Sequence, residues 1–258
     1  MFALVATIFF AIQIYCDFSG YSLIAMGAAK ILGFELMENF DAPYMSKSVA
    51  EFWRRWHISL SSWFKDYLYI PLGGSRKGKI RKYVNVMIVF LVSGLWHGAD
   101  LSYIIWGGLN GLYQIIEELI FGITRTVKKA GNVFINIFKM FITFVLVDIA
   151  WIFFRAENTK AAIAVIKSII NNMDTNIFSD NQLFTAGLDE ANFILLMIAI
   201  FILIVFDVLK NKKISIYGYF VKQPTFIRCM ELIVVILFIA IFGRYGSDIG
   251  SSFIYFQF

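Results

Sequence analysis

Long apolar runs separated by short charged segments constrain this chain more than any other feature. The runs cover residues 2–32, 83–99, 101–121, 133–154, 192–209 and 229–243. A helix needs roughly 17–25 apolar residues to cross the hydrocarbon core of a bilayer. The stretch 83–121 is too long for one crossing and breaks naturally at Gly98-Ala99-Asp100, which predicts a helical hairpin with His97 just before the bend. The stretch 2–32 is interrupted by Cys16-Asp17-Phe18-Ser19-Gly20, so it reads either as one long helix carrying an acid or as two shorter pieces. The expected fold class is therefore all-α, a polytopic transmembrane helical bundle formed by one domain over residues 1–258.

Composition agrees. Hydrophobic residues make up 59% of the chain, charged residues only 16%, and the mean hydropathy is +0.72. Soluble domains carry about 25% charged residues, so this chain has too little polar surface to be one. The 28 Phe, 12 Tyr and six Trp are enough to line both spans and interfaces. The net charge of +5 does not point to nucleic acid, because the Lys and Arg cluster between apolar runs. Arg76, Lys77, Lys79, Arg81 and Lys82 form one cluster, Arg125, Lys128 and Lys129 a second, and Lys210, Lys212, Lys213, Lys222 and Arg228 a third. All three read as cytoplasmic by the positive-inside rule. Segment 155–191, with Glu157, Asp174, Asp180, Asp189 and Glu190, reads as the outer loop. Cys16 and Cys229 lie in apolar segments without metal-ligand spacing, which argues against a disulfide framework and a metal site. No signal peptide is evident, and Met1 runs almost directly into a span, so the chain reads as a fragment or a truncated frame.

Between the first two runs lies a loop, 33–50, with a turn at Pro43. Ser48-Val49-Ala50-Glu51 matches a capping box and predicts a helix start. From there one amphipathic interfacial helix is expected over 46–72. Trp53, Trp56, His57, Leu60, Trp63, Phe64 and Tyr67 would share one face, and Arg54, Arg55, Ser59, Lys65 and Asp66 the other. Pro71 and Gly73-Gly74 end it.

Both histidines of the chain, His57 and His97, sit in these surroundings. An ionisable group at membrane depth is a functional-site candidate. His97 lies between Gly94 and Gly98, a small-residue pair that leaves room for a neighbouring backbone or a substrate chain, and Gly107 and Gly111 repeat the spacing on the next helix. An imidazole shielded from water stays neutral, the form a general base requires. The alternative is a buried histidine bonded to a carbonyl. His57 suits the orientation of an acyl carbonyl or the stabilisation of an oxyanion, or else it is a core histidine on an aromatic face. Arg54 and Arg55 suit phosphate oxygens, or simply a solvated face beside anionic headgroups. Asp17 pairs with Arg54 or Arg55, or lines a polar tunnel. Trp53 and Trp56 complete the candidate substrate-contacting set, although with Trp63 and Trp96 they also read as packing and interface anchors.

These runs carry a resemblance. Tyr15-Cys16-Asp17-Phe18-Ser19-Gly20-Tyr21-Ser22, Glu51–Leu60, Asp66–Arg76 and Ser93-Gly94-Leu95-Trp96-His97-Gly98-Ala99 resemble the membrane-bound O-acyltransferase family, most closely its alginate O-acetyltransferase branch. The terminal Phe253–Phe258 is also similar to that branch. The resemblance implies a helical enzyme with a tunnel through a thinned membrane region, in a bacterial cytoplasmic membrane. His97 matches the family's invariant histidine and His57 its second motif histidine. Two departures stand out. Full-length relatives carry further spans before the first motif, and many have an acid where this chain has Leu23.

The leading expectation is a membrane O-acetyltransferase. Acetyl-coenzyme A is the expected donor substrate, docking from the cytoplasm near Arg54, Arg55 and the basic loop, with no resident cofactor. The acyl group passes towards an extracytoplasmic polysaccharide hydroxyl, directly or through a partner acetyltransferase or esterase-like protein. The alternatives are D-alanyl transfer to teichoic acid from a carrier-protein thioester and a non-catalytic truncated membrane protein.

Overall fold

The computed structural model describes residues 1–122, 132–171 and 189–243. The terminal run 253–258, Arg125, Lys128, Lys129, Asp174 and Asp180 lie outside them. Among the described residues every regular element is helical. Stretch 2–32 resolves into one helix, α1 (Phe2–Ile31). Next come α2 (Val49–Arg55), α3 (Ile58–Phe64), α4 (Lys79–His97) and α5 (Leu101–Phe121). The chain continues with α6 (Val133–Arg155), α7 (Thr159–Asn171), α8 (Glu190–Asn211), α9 (Ile216–Lys222) and α10 (Thr225–Phe242). The helices α1, α6, α8 and α10 are long and apolar enough to cross a membrane. The pair α4 and α5 falls outside that set: α4 opens on Lys79, Arg81 and Lys82, and α5 carries Asn110, Gln114, Glu117 and Glu118.

The hairpin of α4 and α5 is packed backbone to backbone. A Cβ built on Gly94 would run into the Tyr103 carbonyl oxygen, and one on Gly107 into that of Phe90. Lipid tails are as apolar as Leu, so helices in a membrane associate through close packing, and glycine permits the closest approach. Asp100 opens α5 by accepting a hydrogen bond from the Ser102 N–H at 2.7 Å.

The expectation of one amphipathic helix over 46–72 is corrected by the structure. Half of the capping box forms as expected, with Ser48 accepting from the Glu51 N–H at 3.0 Å, while the Glu51 carboxylate reaches one residue further back and accepts from the Lys47 N–H at 3.0 Å. The helix nevertheless ends at Arg55. Trp56 is extended and His57 adopts left-handed backbone angles (φ 44°, ψ 56°) before α3 begins. A wider π-type turn follows over Lys65–Tyr69. The break has a cause in the preceding loop. Asp41 donates its N–H to the Arg55 carbonyl at 2.9 Å, and the Asn39 carbonyl accepts from the Ile58 N–H at 3.0 Å. The loop thus offers partners to the last carbonyl of α2 and the first N–H of α3, groups that every helix end leaves unmet. The expected face is redistributed as a result. Phe52, Trp56 and Phe64 are buried, whereas Trp63 and Tyr67 are exposed.

An aromatic cluster holds α1, α2, α5 and α6 together. Trp56 stacks on Phe52 (ring centroids 5.4 Å apart) and tilts against Trp151 at 5.1 Å, and Trp106 stacks on Trp151 at 6.0 Å. From the same cluster, Tyr15 of α1 meets Trp56 with ring centroids 6.1 Å apart and donates its hydroxyl to Asp207 of α8 at 2.8 Å.

The glycine contacts yield a stability prediction. Gly107→Ala should lower the stability of the detergent-solubilised protein by about 1–3 kcal/mol, because the new methyl meets backbone that cannot move aside. Gly108→Ala meets only the Leu91 side chain, at 3.6 Å. It should be neutral or stabilising by up to about 1 kcal/mol. Thermal unfolding of the two variants side by side checks the contrast.

Candidate active site

His97 and His57, far apart in sequence and on different elements, line one small cavity of about 20 Å³. Ile14 and Phe18 of α1, Trp53, Trp56 and Leu60, Trp106 of α5, and Trp151 and Phe154 of α6 complete its wall. That volume holds about one water molecule or one hydroxyl group. The His97 ring meets Trp106 and Phe154 edge to face, each at 5.1 Å, and Trp96 at 4.9 Å. The His57 ring meets Phe18 edge to face at 4.7 Å. Burial pushes the His57 imidazole down to about 4, so the ring is neutral at ordinary pH. A non-glycine residue in the left-handed region costs about 1–2 kcal/mol. His57 sits there because the loop bonds on either side leave its backbone no alternative.

A second cavity, of about 940 Å³, lies beside the first. Along α4 its wall includes Lys79, Lys82, Tyr83, Val86, Val89, Phe90 and Ser93, roughly 20 Å of helix rise that ends one turn short of His97. Arg54 and Lys65 add positive charge, and Lys82 is ion-paired with Glu118. Trp53 and Leu60 line both cavities and form the partition between them. Trp53 is fixed by its indole N–H, which donates to Asn110 Oδ1 at 2.9 Å, while Asn110 Nδ2 donates to the Trp106 carbonyl at 2.8 Å.

The remaining candidates separate. Trp53 and Trp56 reach the histidine cavity, and Arg54 reaches the large one. Arg55 lines neither: it pairs with Glu51 at 2.7 Å and donates to Asn211 Oδ1 at 2.9 Å, tying α2 to α8. Asp17 is exposed, lines neither cavity and makes no ion pair with Arg54 or Arg55. Tyr15, two residues before Asp17 on α1, instead engages the carboxylate of Asp207. Residues that spacing had not singled out contribute to the site. Asn110 anchors Trp53, and Glu117 accepts from the Val49 N–H at 2.9 and 3.0 Å, holding the start of α2. Asn39 reaches His57 from the loop. The only signal for Asn110 was its polarity inside an apolar run. Asn39 carried none.

Comparison with known proteins gives a consistent result. The profile of the MBOAT, membrane-bound O-acyltransferase, family matches residues 1–154. A Pseudomonas putida protein named probable alginate O-acetylase AlgI is 37% identical over 255 residues, 95% of this chain and 51% of that protein. The protein of the same name from Pseudomonas aeruginosa is 51% identical over 150 residues, 58% of this chain and 28% of that protein. A Helicobacter pylori peptidoglycan O-acetyltransferase is 40% identical over 161 residues, 62% of this chain and 30% of that protein. The chain spans about half the length of the first of these relatives.

The anchoring of the partition can be tested thermodynamically. Asn110→Leu strands the Trp53 N–H in an apolar wall and should cost about 1–3 kcal/mol. Adding Trp53→Phe removes the stranded donor, so the double variant should be more stable than the sum of the two single losses predicts. Thermal unfolding of the four proteins measures that coupling.

Proposed function

This chain belongs to the membrane-bound O-acyltransferase family, and on that premise we propose that it transfers a small acyl group, acetyl, from a cytoplasmic thioester to a hydroxyl of an extracytoplasmic polysaccharide. The bacterial cytoplasmic membrane is the proposed location. One observation carries the reading: both motif histidines line a chamber that shares Trp53 and Leu60 with a long cavity whose wall carries Arg54, Lys65 and Lys79.

In this reading the donor is acetyl-coenzyme A. Its phosphates meet Arg54, Lys65 and Lys79 at the basic end of the large cavity, and its pantetheine arm follows α4 towards Ser93. The thioester carbonyl reaches the partition at Trp53 and Leu60. An acceptor hydroxyl enters the histidine chamber, whose volume suits a single hydroxyl group. The imidazole of His97 takes the hydroxyl proton as the oxygen attacks the thioester carbon. The tetrahedral intermediate then collapses, the carbon–sulfur bond breaks, and the departing thiolate takes the proton back from the imidazolium. The products are an ester and a thiol, with His97 restored. The similarity to two proteins named probable alginate O-acetylase and to a peptidoglycan O-acetyltransferase supports a glycan acceptor.

In the full-length protein, His97→Gln should insert normally and reduce O-acetylation by roughly 10²–10⁴-fold. Mass spectrometry of envelope glycans reads the outcome, and wild-type acetylation in the variant refutes the assignment. Labelled acetate and labelled D-alanine fed in parallel distinguish the acyl group. Arg54→Glu and Lys79→Glu should raise the donor KM while leaving kcat nearly unchanged, the pattern of lost ground-state binding. Steady-state kinetics with acetyl-coenzyme A checks it.

A further inference from the structure

Asn39 lies in the loop between α1 and α2, outside every motif noted above, yet its side chain meets His57 directly. Three atoms converge on Asn39 Oδ1: the Ser59 backbone N at 3.1 Å, Ser59 Oγ at 2.7 Å and His57 Nδ1 at 3.3 Å. A backbone N–H only donates, so the amide atom it meets must be the oxygen, and the orientation of Asn39 follows from that bond. The amide nitrogen turns the other way, to Ser22 Oγ at 3.4 Å.

The Ser59 hydroxyl has one proton. At 2.7 Å from Asn39 Oδ1, against 3.4 Å from the ring nitrogen, it gives that proton to the amide oxygen. Its lone pairs then face His57 Nδ1. The ring nitrogen has acceptors on both sides, Asn39 Oδ1 and Ser59 Oγ, and a nitrogen so placed carries the hydrogen.

We propose that Asn39 and Ser59 are positioning residues that hold His57 in its Nδ1–H tautomer, so that Nε2 carries the ring's lone pair and His57 serves the chamber as a hydrogen-bond acceptor. A His57 in this tautomer would not supply the cavity-directed N–H that the oxyanion-stabilising role expected from sequence requires. It rests on the acyl-transfer reading only for its catalytic consequence, since the tautomer itself follows from hydrogen-bond geometry. The left-handed backbone at His57 belongs to the same device. Asn39 holds the ring through Oδ1 and the next peptide through its own carbonyl, so ring and backbone are clamped by one residue.

The tests use the full-length protein. The 15N spectrum of histidine-labelled protein, with the His57 signals assigned by their loss in His57→Gln, reads the tautomer without turnover. Nδ1–H is expected in the wild type and in Asn39→Asp, whose carboxylate accepts the same bonds. Asn39→Leu should lose the preference and lower kcat by roughly 10²-fold with the donor KM little changed. Asn39→Asp should keep kcat within a few-fold and move the acid limb of its pH profile upward, because a carboxylate beside Nδ1–H favours the imidazolium. Among the described residues the other titratable group lining the chamber is His97, so His97→Gln in the labelled protein separates its signals from those of His57. A His57 Nε2–H tautomer in the wild type overturns the proposal, as does an equal kcat loss in Asn39→Asp and Asn39→Leu with the tautomer unchanged. An Nδ1–H tautomer in a protein that transfers no acyl group upholds the assignment and sinks the transferase reading instead.

Discussion

Irregular backbone is tolerated at membrane depth only where other parts of the protein satisfy its polar groups. In the stretch between α1 and α4, irregular backbone is likewise met by side chains from several elements. Asn85 of α4 donates to the carbonyls of Leu72 and Gly74. Glu117 of α5 receives the Val49 N–H. Lys210 of α8 donates to the Phe40 carbonyl, and Arg55 to that of Asp41. Without these polar stitches the segment would carry unmet groups, each worth several kcal/mol in hydrocarbon. They are also what brings His57 to its place.

The site is therefore assembled from two kinds of structure. The hairpin of α4 and α5 is rigid because its glycines allow main-chain contact, and it delivers His97 at a helix end. The stitched segment is irregular and delivers His57 from a left-handed turn. The aromatic cluster of Trp56, Trp106 and Trp151 lies between them and fills the space with side chains that have few rotamers to lose. Precision at the site comes from packing and hydrogen bonding rather than from charge.

Much of this was legible in the residues. Apolar run lengths marked the long helices, Gly98-Ala99-Asp100 marked the hairpin bend, and Ser48 with Glu51 marked the start of α2. The break at His57 was not legible, since the helical period of apolar residues continues unbroken through Trp56 and Leu60. What ends the helix is Asn39 and Asp41, residues with no periodic relation to it. The same blindness affected the two neighbouring arginines. Their chemistry is identical, but Arg55 is taken up by Glu51 on its own helix and by Asn211 of α8, while Arg54 lies on the cavity. Asp17 stood out as an intramembrane acid, but the partner of α1 is a tyrosine–aspartate bond involving its neighbour Tyr15.

A partition made of one indole and one leucine side chain has a kinetic meaning. Side-chain rotamers turn over far faster than enzymes do, so a barrier of this thickness acts as a membrane of its own, porous to small groups and opaque to wide ones. Trp53, however, is tethered through its ring nitrogen to a fully buried amide, and it turns only by giving up that bond. The leucine is then the yielding half of the doorway and the tryptophan its jamb; under the proposed function, such a doorway would hold an energy-rich ester of sulfur back from the imidazole until the room beyond is filled.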